Sequence, residues 1–109
     1  MTMLYKFKSK AAGDVIMLAA TGQRVLGILG KDAGAQGIIT PEQMQGAIKA
    51  VQDAIAQEEA QQQEAVAQAK SKGEVPPTFE AINLRKRAWP LVEMMQRSAK
   101  EAVPVVWGV

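Results

Sequence analysis

The chain has no cysteine and no histidine. Without cysteine there is no disulfide, no thiolate nucleophile and no cysteine-ligated metal. Without histidine the commonest general base and the commonest transition-metal ligand are missing too. Serine–histidine–aspartate and cysteine–histidine hydrolases, zinc hydrolases and haem-ligating proteins are thereby excluded. Aromatic residues are scarce, at 5%. No apolar run approaches the length of about 18 residues that a membrane-spanning helix needs. The start, Met1 to Lys6, turns charged and alternating too early for a secretory leader. The expected setting is the cytoplasm, with no membrane association.

What is present suits one modest core. Of 109 residues 48% are apolar, but eighteen are alanine, so large core-filling side chains are fewer than that fraction implies. A single domain over 1–109 is expected. The net charge of +2 conceals three blocks. Residues 1–31 carry Lys6, Lys8, Lys10, Arg24 and Lys31 against Asp14. Residues 32–69 carry one lysine against six acids, and 70–109 return to a basic balance. A basic–acidic–basic order favours contacts within or between copies of the chain as readily as an external polyanion.

Met3 to Lys8 alternates apolar and charged residues, the period of a strand with one wet face. Residues 9–14 read as a turn, and Val15-Ile16-Met17-Leu18 as the return strand of a β-hairpin. The competing reading is one helix from Asp14 to Leu29, against which Gly22 and Gly27 count. Helical spacing of Val25, Leu26, Ile28 and Leu29 predicts a short helix opened by Thr21 and closed by Gly30. Residues 31–37 read as loop.

Thr40-Pro41-Glu42-Gln43 is the clearest helix start: an N-cap, a proline suited to the first turn, and a glutamine placed to bond back to the cap. Met44, Ile48, Val51 and Ile55 then form a core-facing stripe. Residues 56–78 hold little to bury and read as an exposed helix end followed by a flexible connector. Asn83 is the expected cap of the last helix, with Pro90 inside it, and Val105-Val106-Trp107 reads as a closing strand. The predicted architecture is α+β: an N-terminal β-hairpin, three helices and a C-terminal strand, forming an antiparallel three-stranded sheet packed against helices.

Met3 to Leu18, Gly37-Ile38-Ile39-Thr40-Pro41-Glu42, Leu84 to Leu91 and the closing Val105-Val106-Trp107-Gly108-Val109 together resemble a small bacterial family of about this length, catalogued as a domain of unknown function. The resemblance implies a bacterial origin and a compact single domain. It transfers no catalytic or binding residue.

Arg85, Lys86 and Arg87 crowd the first turn of the last helix, where the macrodipole disfavours cations. Such a cluster invites an anion: a phosphate, a carboxylate, or the acidic middle of the same or a neighbouring chain. The simpler reading lays their stems over Trp89. Trp89, Met94 and Met95 are a candidate interaction surface, with core packing the commoner use of methionine. Nucleic acid is a weak candidate, because Tyr5 and Phe7 alternate away from Lys6 and Lys8. Asp14, Asp32, Glu93, Tyr5, Lys31 and Ser9 are the groups left for catalysis, and none is paired at a telling spacing. No cofactor and no metal are expected. The sequence points to a non-enzymatic protein-interaction domain, with self-association through a sheet edge or the last helix, and anion or nucleic-acid binding as the alternative.

Overall fold

A computed structural model describes residues 4–31, 34, 36–79 and 83–108. The elements in order are β1 (Leu4–Ser9), β2 (Ala12–Leu18), α1 (Ala19–Ile28), β3 (Gly37–Ile39), a 3₁₀ turn (Pro41–Gln43), α2 (Met44–Ser71), α3 (Leu84–Glu101) and β4 (Val105–Trp107). The α+β class and the three helices agree with the sequence reading. The sheet, however, has four antiparallel strands in the order β2-β1-β4-β3, not three. The added strand is β3, three residues at the end of the glycine-bearing loop, too short to show a period of two.

β4 lies inside the sheet, pairing Phe7 with Trp107 on one side and Gly37 with Trp107 on the other. Chain ends and middle are thereby stitched into one layer. The hairpin forms as expected, but with a tighter turn. β2 begins at Ala12, and Ser9 Oγ accepts the Ala11 N–H at 3.2 Å. Ser9 also bonds Ser98 of α3 at 2.6 Å, and the Ser98 hydroxyl donates to the Met94 carbonyl at 2.7 Å. That relay ties the hairpin to α3 and satisfies the hydroxyl of Ser98, which is fully buried.

Strand alternation sends Tyr5, Phe7, Met17, Ile39, Val105 and Trp107 to one face, where all are buried under the helices. The aromatic residues form a row: ring centroids lie 6.5 Å apart for Tyr5 and Phe7, and 5.7 Å for Phe7 and Trp107. Two glycines seat the ends of this row. A Cβ on Gly22 would overlap the Tyr5 ring, and one on Gly37 would overlap the Trp107 indole. Gly22, read from sequence as a helix breaker, therefore lies inside α1 because the helix crosses the sheet closely there.

α1 starts at Ala19, two residues before the expected Thr21 cap, with Leu18 as its N-cap and no side-chain capping bond. Thr21 Oγ1 instead accepts from Arg87 at 3.4 Å. Ahead of α2 the Gln43 side chain accepts the Thr40 N–H at 3.1 Å, as the capping motif predicts. The predicted stripe is buried. At about 1.5–3 kcal/mol for each large side chain, it anchors the helix. α2 continues through the glutamine-rich segment to Ser71 and closes with Glu74 N–H on the Ala69 carbonyl at 2.8 Å, Gly73 having φ of 72°. Asn83 caps α3 as expected, accepting from Lys86 N–H at 3.1 Å.

Candidate functional site

The basic start of α3 meets the acidic middle of the same chain. α3 begins where it reaches Glu58 and Glu59 of α2. Glu58 accepts the Leu84 N–H at 3.2 Å through one oxygen and Arg24 at 2.9 Å through the other. Glu59 takes two bonds from the Arg85 guanidinium, each 2.9 Å, and Arg85 also lies 5.7 Å above the Trp89 ring. Carboxylates at a helix N-terminus satisfy orphan donors and suit the macrodipole. Of the three cations Arg85 meets an internal carboxylate, while Arg87 donates to Thr21 Oγ1 and Lys86 is exposed. The signal was legible as the acidic block between basic ends, but its partners were not.

Hydrogen bonds from Arg85 hold the Glu59 carboxyl below the usual glutamate range. Because the folded value is depressed, this pair favours the folded state above the ordinary glutamate value. Its contribution is lost as pH falls through the folded value. Melting temperature followed from neutral pH into acid should fall less steeply for Glu59→Gln than for the unaltered chain over that window. Equal slopes would count against the pairing.

The other candidate surface is corrected. Met94 and Met95 are buried, at 1% and 0% exposure, because both fall on the core side of α3 beside Leu91 and Val92. Only Trp89 of that trio is partly exposed. The groups considered for catalysis are dispersed. Asp14 pairs with Lys6 at 3.4 Å, Lys31 bonds Gln43 at 2.8 Å, Ser9 belongs to the hairpin relay, Tyr5 is buried and Glu93 is exposed. Asp32 lies outside the described residues. Among the described residues no acidic cluster is placed to hold a metal, and no helix is long and apolar enough to cross a membrane.

The feature the sequence reading missed is the outer face of the sheet. Leu4, Ile16, Leu18 and Ile38 are between 45% and 64% exposed, and partly buried Val106 lies beside Ile38. Leu4 stands opposite Leu18, Lys6 opposite Ile16, and Ile38 opposite Val106. Only Val75 and Phe79 are other large hydrophobics that are exposed among the described residues. The available signal was Val15-Ile16-Met17-Leu18, apolar on both alternations although an edge strand with one covered face needs only one. At the β4 end an open hollow of about 430 Å³ is lined by Val103, Pro104 and Val106 together with Lys8, Ser9 and Lys10.

Fold and surface together define a two-layer α+β domain with helices on one side of an antiparallel sheet and a bare, partly apolar face on the other. Comparison with known families narrows the class. Residues 3–107 match the family model described as Domain of unknown function (DUF1840), and the chain belongs to that family. No curated protein and no solved structure matches it.

Proposed function

We propose that this is a non-catalytic protein-interaction domain that docks its partner on the outer face of the sheet. The observation that carries this reading is the placement on that one face of four of the six exposed large hydrophobic residues among the described residues. Exposed apolar side chains scattered singly need no explanation; gathered on a sheet face they are a contact surface. The lysines between them supply a polar frame, as interfaces commonly have. The proposal sets the domain in a bacterial cytoplasm, as the sequence reading expects.

Anion or nucleic-acid binding at Arg85, Lys86 and Arg87 draws weaker support, because Glu58 and Glu59 already meet the start of that helix. Its test is association with mixed-sequence single strands at low and moderate salt.

The docking reading is tested by recovering the tagged chain from its own cells and measuring the size of its complex, beside the variants Leu18→Asp and Ile38→Asp. Both positions are exposed, so both variants should fold, Leu18→Asp melting somewhat higher because an aspartate there can cap α1. The expected result is a complex with the unaltered chain, either with itself or with another protein, that both variants lose. An unaltered chain that stays monomeric, or variants that keep the complex, would refute the reading.

A further inference from the structure

Resting on that reading, we infer that the partner includes a second copy of this chain, joined through the free edge of β2 so that two four-stranded sheets become one of eight strands. β2 is an edge strand of seven residues, and among the described residues no strand pairs with its outer side. Natural edges are usually blunted by lysine, proline or a covering element. The stretch Val15-Ile16-Met17-Leu18 has none of these residues, and it combines strong β-propensity with no charge. Such an edge calls for a strand beside it.

A twofold axis normal to the sheet keeps both helical layers on the same side, and it pairs each residue with a residue of the same face. Three such registers can be compared, according to which residue lies on the axis. Centring on Asp14 sets two carboxylates face to face. Centring on Val15 leaves them one diagonal apart, about 7–8 Å, beside the axis. Centring on Ile16 moves them to the two ends of the ribbon. Ile16 then faces the partner's Ile16, Val15 faces the partner's Met17, and Leu18 faces the partner's Asp14. Leu4, Ile16 and Leu18 of each copy merge into one apolar band across the outer face.

Charge favours the same register. Leu18 is the N-cap of α1, which has no side-chain capping bond and no acidic residue in its first turn. The Ile16-centred pairing sets Asp14, on the outer face, opposite Leu18 at the positive start of α1 in each copy. It leaves the two Lys6 side chains three strand spacings apart, about 14 Å, beyond the reach of strong repulsion in physiological salt. Space is available as well. Ala12 and Gly13 fall beside the partner's Ala20 and Ala19, where α1 leaves the sheet, and a Cβ on Gly13 would meet nothing within 4 Å in the single chain.

The absence of cysteine gives a clean test on the whole chain. Ile16→Cys places two thiols at directly opposed positions, whose Cα atoms lie about 4.5–5.5 Å apart in an antiparallel pair, within disulfide range. Leu4→Cys is a control of similar exposure, 52% against 59%, but one strand further from the axis. Under mild oxidation at micromolar concentration Ile16→Cys should become a covalent dimer while Leu4→Cys stays monomeric. Ile16→Lys should weaken self-association, read by sedimentation, by at least about a hundredfold through two opposed charges. Equal cross-linking at both positions, or at neither, overturns the dimer. If the complex recovered from cells nevertheless depends on Leu18 and Ile38, the docking reading survives with a different protein as partner.

Discussion

Trp107→Ala is expected to lower the unfolding free energy by about 3–5 kcal/mol, the range for removing a large aromatic side chain from a packed core. For a chain of this size the melting temperature should fall by roughly 15 °C or more. The reason is position as much as volume. Trp107 is 1% exposed, lies on the strand shared by both halves of the sheet, and packs against Phe7 on β1 and over Gly37 on β3. Its indole N–H is buried with no hydrogen-bond partner among the described residues. An unpaired buried donor costs about 1–3 kcal/mol, so Trp107→Phe should be milder than the alanine change because it removes the donor while keeping a ring. Thermal or urea unfolding of both variants checks this. A near-neutral Trp107→Ala would mean that β4 does not hold the sheet together.

Gly37→Ala tests the same seam from the neighbouring strand. The added methyl would overlap the indole of Trp107, which is rigid and enclosed and cannot swing aside. A loss of about 1–3 kcal/mol is expected, as for overpacking in a filled core. Gly46→Ala is the matched control: it lies within α2, a Cβ there meets nothing within 4 Å, and alanine should stabilise the helix by about 0.5–1 kcal/mol. Opposite signs for the two substitutions, measured by denaturant unfolding, would confirm that Gly37 serves close approach. Equal effects would show that only backbone propensity matters.

These two positions also mark how far the sequence could be read. Elements with strong local chemistry were legible: the alternating start of β1, the Thr40 to Gln43 capping motif, the Asn83 cap and the closing strand. Each is defined by residues within one turn or one strand of each other. What failed to show depends on partners distant in the chain. β3 has only Gly37, Ile38 and Ile39, and becomes a strand because β4 offers it a ladder. Gly22 resembles a helix breaker until Tyr5 is seen beneath it. Met94 and Met95 resembled a soft surface, and the orientation of α3 turned both inward. The basic cluster at Arg85 to Arg87 was found, but its nearest anions lie 26 residues earlier, on α2. The outer-face hydrophobics were hidden for a related reason. Only the strand order shows that Ile16 and Leu18 belong to an edge strand with one covered face.

Charge placement and apolar surface lead to opposite expectations for the two candidate regions. At the start of α3 Glu59 already takes the Arg85 guanidinium and Glu58 the Leu84 N–H, so added anions compete with these two carboxylates. On the outer face of the sheet large side chains are left in water, and each would gain by being covered. The helical side of the domain supplies stability, while the bare side and its open edge are the proposed surface for docking another protein.

Amide hydrogen exchange, followed residue by residue as the protein is concentrated, tests that claim most directly. The account predicts that β4 amides, and the alternate β2 amides that bond to β1, are protected at every concentration, while the β2 amides between residues 14 and 18 that point to the free edge gain protection only as copies meet. Edge-facing β2 amides that exchange at one unchanging rate from dilute to concentrated solution, with no partner from its own cells slowing them, would contradict it.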